Sequence, residues 1–215
     1  MIVNRCPILA GFAAGAAVLQ PLELRAREVR AERWIELSAS GEIAPGADLR
    51  VEVEQRFRDG ANEAILGAAV DLAVADSVAL GGGLEVHDAG GFTEVRPYQQ
   101  LTLALGALSL RTRLEQRVFD DADRLGWRLR QRAQLSPAIA AGTRARLSAE
   151  WFYQIRDRVE GGPRRTDQWR LVAGIQHRIG PGLDLTVSHL VQIRPRRAGQ
   201  TTHTHVPQLA LAYRF

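Results

Sequence analysis

The sequence predicts an all-β chain: an antiparallel, up-and-down transmembrane β-barrel of ten to twelve strands with a polar, Arg/Glu-rich lumen. Three observations carry this. Apolar and polar residues alternate with a period of two from Trp34 onward, and no segment after that point keeps a helical period. The connections alternate between tight turns and longer charged loops. The chain ends on Gln208 to Phe215, with Leu209, Leu211, Tyr213 and Phe215 on one face and an aromatic residue last.

The N-terminus comes first. Arg5 precedes an apolar run from Cys6 to Leu19 that is too short for a comfortable membrane helix, so residues 1–26 read as a secretory signal peptide and 27–215 as the barrel. Ala14-Gly15-Ala16 has a small-residue cleavage pattern, and cleavage near Ala26 is the alternative. Cys6, the only cysteine, precedes the apolar run, which suits no lipoprotein processing and permits no disulfide within one chain.

Eleven segments then qualify as strands: 34–42, 48–57, 64–75, 78–87, 95–105, 108–119, 126–135, 143–155, 168–179, 183–194 and 206–215. Most are long enough to cross a bilayer when tilted. Tight turns fall at Ala44-Pro45-Gly46, Ala75-Asp76-Ser77, Gly106-Ala107, Pro137 to Gly142 and Gly180-Pro181-Gly182. Longer connections fall at Asp59 to Glu63, Asp88 to Glu94, Asp120 to Leu125, Arg156 to Asp167 and Pro195 to His205. Short turns at one end and long loops at the other describe an outer-membrane barrel. Single-chain bacterial barrels usually have an even strand number, so ten or twelve is expected. A further strand within Leu22 to Glu32, or a first segment outside the wall, would restore the parity.

The two faces differ sharply. Arg111, Arg113, Glu115 and Arg117 share one face of their strand; Arg128, Arg130 and Arg132 share one on the next; Arg144, Arg146 and Glu150 share one on the third. Leu110, Leu129, Leu147 and Leu211 lie on the alternate faces. Alternation alone does not say which face is inside. An Arg facing lipid at mid-bilayer costs roughly 2–4 kcal/mol, so in a membrane the Arg faces turn inward. The lumen set is completed by Glu52 and Glu54, partners for the arginines together with Glu85. Phe57, Phe119, Trp127, Trp151, Tyr153 and Trp169 fall near the outer loops and Tyr213 and Phe215 at the opposite rim, as two aromatic girdles would.

The residues from Tyr98-Gln99-Gln100-Leu101, through the strand Arg111-Thr112-Arg113-Leu114-Glu115-Gln116-Arg117 and Trp127-Arg128-Leu129-Arg130-Gln131-Arg132 to Glu150-Trp151-Phe152, resemble the DUF2490 family of uncharacterised, outer-membrane-barrel-like bacterial proteins. The resemblance spans most of Trp34 to Phe215. It implies a membrane barrel and transfers no catalytic residue.

Composition excludes more than it includes. All 28 basic residues are Arg and the net charge is +4, spread along strands, with no nucleic-acid motif. Ser188 and His189 are adjacent on a strand, hence on opposite faces, and cannot form a catalytic dyad directly. His203 and His205 share a face if extended, but two histidines need a third ligand to hold a metal. Gly81-Gly82-Gly83 is followed by no Lys-Ser/Thr and is no phosphate loop; it reads as room for a large neighbour. No cofactor, metal or catalytic residue is expected. The expected location is the outer membrane of a Gram-negative bacterium, and the expected partners are outer-membrane lipid, the barrel-assembly machinery and small anionic solutes. The expected role is a narrow anion-preferring pore or a structural membrane protein. A lipid-modifying enzyme of the outer membrane and a secreted ligand-binding barrel are the alternatives.

Overall fold

The computed structural model describes residues 27–122, 124–196 and 200–215; the expected signal peptide, residues 1–26, lies outside them. The described chain is all strand and turn: β1 (Arg27–Ala31), β2 (Arg33–Ala44), β3 (Ala47–Phe57), β4 (Glu63–Ala75), β5 (Val78–Asp88), β6 (Thr93–Leu105), β7 (Leu108–Phe119), β8 (Gly126–Leu135), β9 (Ala138–Ala140), β10 (Thr143–Arg156), β11 (Arg165–Gly180), β12 (Leu183–Pro195) and β13 (Thr201–Arg214). Each wall strand pairs antiparallel with its sequence neighbour, as short connections require, and β13 pairs back onto β2 to close the barrel.

The wall has eleven strands, which corrects the expectation of ten or twelve. An odd number makes the first and last strands run the same way, and the closing pair is parallel, from Gln208 opposite Trp34 to Arg214 opposite Ser40. The extra strand sought in Leu22 to Glu32 is β1, but it adds nothing to the wall. It pairs with β13 from Arg27 opposite Thr201 to Ala31 opposite His205, in the same register as β2, so β1 and β2 are one strand interrupted at Glu32. The described chain therefore enters the wall at the long-loop rim and leaves it at the tight-turn rim.

Three boundaries differ from the sequence reading. β13 begins at Thr201, so His203-Thr204-His205 belongs to the wall and not to a loop. The run Thr201 to Val206 is rich in β-branched residues, and it has partners on both sides, β12 and β1. β11 begins at Arg165 and shortens the preceding loop. The turn region 137–142 holds the three-residue β9, paired with the start of β10. At the tight-turn rim Gly46, Gly106 and Gly182 take φ of +75°, +62° and +66°, a conformation that would strain any side chain with a Cβ. The final residue secures the seam: the Phe215 amide donates to Ser40 O at 3.1 Å, and its ring lies where a Cβ on Gly41 would stand.

The barrel is inside-out relative to a soluble protein. Leu37, Leu66, Ile175 and Val187 are each more than half exposed on the outer face. Arg113, Glu115, Glu94 and Gln192 are at most 2% exposed on the inner one. Soluble chains bury the first set and expose the second.

Candidate lumen site

Because side chains alternate across a strand, every second residue of each wall strand enters the interior. The inward set contains Glu52, Glu54, Arg111, Arg113, Arg117, Arg128, Arg130, Arg132, Arg146 and Glu150, all of which line one cavity of about 690 Å³; Glu115 is fully buried behind them. Arg144 is the exception. It sits exposed at the tight-turn rim, donating to Ser136 O at 2.6 Å, where the pairing of β9 with β10 slips by a residue.

Two ion-pair networks fill most of the interior. The first links β3 to β7. Glu63 accepts from Arg56 Nη1 at 3.0 Å, from Arg58 at close range, and from His87 Nδ1 at 2.9 Å. His87 Nε2 lies 3.1 Å from Glu85 Oε2 and 2.8 Å from Arg96 Nη1. Arg96 and Arg117 converge on Glu94, at 2.6 and 2.5 Å. Arg113 bonds Glu85 at 2.6 Å and the Gln100 amide oxygen at 3.0 Å, with its guanidinium 3.7 Å from the centre of the Tyr98 ring. Small residues make room for this. A Cβ on Gly83 would meet the Tyr98 hydroxyl, and one on Gly81 would meet the Asp71 carboxylate, which accepts from Gln100 Nε2 at 2.7 Å.

The second network lies on β7, β8, β10 and β11. Glu115 takes Arg128 on one oxygen at 2.6 Å and Arg130 on the other at 2.6 Å. Glu150 takes both Arg111, at 2.9 Å, and Arg130, at 3.0 Å, on Oε1. Arg132 and Arg170 stand beside Glu150 in register on the two flanking strands. The cavity runs from Ser40 and Arg214 near the tight-turn rim to Arg58, Phe92 and Arg194 near the loop rim. Fourteen arginines and nine carboxylates line it, so its net charge is positive.

Alternation predicts all of these inward positions, but Arg56, Glu63, His87, Glu94, Arg96 and Arg170 stand in no Arg ladder that would single them out in the sequence. Phe152, 1% exposed, is an inward aromatic in contact with Arg128, Arg130 and Arg170.

Of the expected girdle residues, Trp151, Tyr153 and Trp169 form an outward-facing cluster, with ring centroids 5.3 and 6.0 Å apart. Phe57, Trp127, Tyr213 and Phe215 also project outward near the strand ends. Phe119 does not. It has the parity of Arg117, is 7% exposed, and packs on Phe92 and Arg158 inside the loop rim. Ser188 points inward and donates to Gln208 Oε1 at 3.1 Å, whereas His189 points outward, its Nε2 3.1 Å from His205 Nδ1. The two face opposite sides of the wall. His203 shares the outward face of β13 with His205, and among the described residues no group of three or more His, Cys, Asp or Glu is placed to hold a metal ion.

An inside-out barrel with a charged lumen defines a porin-like β-barrel. A solved structure of the NanC porin resembles it with a TM-score of 0.53 at 12% identity, over 76% of this chain and 81% of that one. At that identity the likeness is one of fold. Residues 31–203 match DUF2490, described as a protein of unknown function, and the chain belongs to that family. No curated protein matches it.

Proposed function

We propose that the protein is a narrow, anion-preferring channel of the outer membrane, working without catalysis. The observation that carries this is the arginine excess along a cavity whose lining reaches from one rim to the other. Arginine stays charged at any working pH. In a confined lumen the surplus is poorly screened and raises the local concentration of anions. The outer face supports the membrane setting: it is apolar along the strands, and its aromatics stand near their ends. In this reading outer-membrane lipid covers that face, the barrel-assembly machinery inserts the chain, and the long loops project outward.

Purified protein in a planar bilayer under a salt gradient tests the proposal. The expected result is small, reproducible conductance steps with a reversal potential displaced toward the anion equilibrium potential. Cation preference, or no conductance, would refute it.

A further inference from the structure

The second ion-pair network is short of carboxylates, and the shortage is local. Along one level of the wall the register sets Arg111 beside Arg132, Arg132 beside Glu150, and Glu150 beside Arg170. This level holds three guanidiniums and one carboxylate. Its bonded oxygen, Glu150 Oε1, accepts from Arg111 and Arg130 and from neither Arg132 nor Arg170. Arg132 has no hydrogen-bond or ion-pair partner among the described residues. Arg170 has only ring faces, its guanidinium carbon 5.0 Å from the Trp34 ring centre and 4.7 Å from that of Phe152. The Nε atoms of Arg111 and Arg170 are buried without a partner. Two inward positions nearer the tight turns, Arg146 bonds only the neutral amides of Gln176 and Gln134, at 3.0 and 3.2 Å. Arg132, Arg146 and Arg170 all line the cavity.

A guanidinium held in a poorly hydrated interior without a counter-charge is costly, and proteins either pair it or bind an anion there. Arg132 and Arg170 lie on strands two apart, with backbones roughly 10 Å from each other at the usual spacing. Glu150 stands on the strand between them, so the two arginine side chains close that gap by reaching past it onto one small group on its lumen side. Arginine's planar fork suits an oxyanion better than a spherical ion, because it donates two parallel N–H bonds.

We propose that Arg132 and Arg170, with Arg146 below them, form a saturable binding site for the oxyanion group of a small solute, a carboxylate or a phosphate. The site deepens the channel reading and depends on it for access: the solute reaches the two arginines through the lumen. Arg113, Arg128 and Arg130 are not part of it, because their charges are already taken by Glu85, Glu115 and Glu150.

The test is calorimetric titration of the full protein in neutral detergent micelles with sodium acetate and, separately, with sodium phosphate. A variant with Trp127, Trp151 and Trp169 replaced by Phe leaves Trp34, against Arg170, as an optical reporter. The expected result is saturable binding of one anion per chain, accompanied by a change in Trp34 emission. The double variant R132Q/R170Q should bind at least about tenfold more weakly, the loss that follows from removing charge-assisted hydrogen bonds. R132K/R170K should recover part of the affinity, and R164Q, in an exposed loop, should bind as the parent does. Binding of acetate alone, or of phosphate alone, supports the site and identifies its group. Absence of saturable binding, or equal binding by R132Q/R170Q, overturns it. Anion-selective conductance without saturable binding would refute this site and leave the channel standing. Saturable binding without conductance would do the reverse.

Discussion

The two halves of the lumen use the same residue types to opposite effect. On β3 to β7, acids and bases interlock: Glu63, Glu85 and Glu94 each meet at least two cationic or imidazole partners, and Arg56, Arg96, Arg113 and Arg117 each reach a carboxylate. On β8 to β11, Glu150 bonds Arg111 and Arg130 from one side, and Arg132 and Arg170 are left without a bonded carboxylate. In a closed network every charge meets an opposite one inside the protein, so it fills the barrel and holds the strands in register. An open one leaves charge to act on a solute. The difference lies in stoichiometry and register, since both halves are built from Arg and Glu on alternate positions.

Substitutions should separate the halves. Glu115 is 0% exposed and holds Arg128 and Arg130 together. Glu115→Gln leaves Arg128 with only Asp167, at 3.5 Å, and Arg130 with only Glu150, and should cost about 3 kcal/mol or more, seen as a lower urea midpoint in micelles and loss of the folded band on unheated gels. Arg113→Gln should cost somewhat less, about 2–3 kcal/mol, because it leaves the buried Glu85 with His87 alone while Gln100 keeps the bond from its own amide to Asp71. The same Arg→Gln change at Arg132 should shift stability by no more than about 1 kcal/mol in either direction, since no partner is lost and a poorly compensated charge is removed. A destabilisation at Arg132 equal to that at Arg113 would erase the distinction between the halves.

Much of this was legible in the sequence. Period-two alternation located the eleven wall segments, and the Arg ladders of β7, β8 and β10 named most of the second network. Parity was not legible. The expectation of an even strand number rests on how other barrels close, whereas β13 of this chain accepts a parallel partner in β2. Phe119 looked like a girdle residue by its position at a strand end, but its parity with Arg117 sends it inward, where Arg158 stacks on it at 4.6 Å. Arg144 continues the ladder of Arg146 in sequence, yet at the very start of β10 its side chain turns to the rim and bonds Ser136 O. The first network could not be seen as a unit. Its members are spread over β3, β4, β5, β6 and β7, no more than two charged groups to a strand in β4 to β7, and only the register brings His87 of β5 against Glu63 of β4. Pairing balance, which separates a structural charge from a free one, is a property of the closed barrel and not of any one strand.

The central claim is that unpartnered arginines, and not arginine content as such, set the preference of the lumen. It is tested most directly by reversal potentials of three proteins in planar bilayers across one salt gradient: the parent, R132Q/R170Q, and R113Q/E85Q. The last removes a bonded pair, leaves the net charge of the lumen unchanged and takes the carboxylate from no other arginine, since the other partner of Glu85 is His87. The account predicts anion preference in the parent, about the same preference in R113Q/E85Q, and a clearly weakened one in R132Q/R170Q. Equal selectivity in the parent and R132Q/R170Q, or a larger loss in R113Q/E85Q, would contradict it.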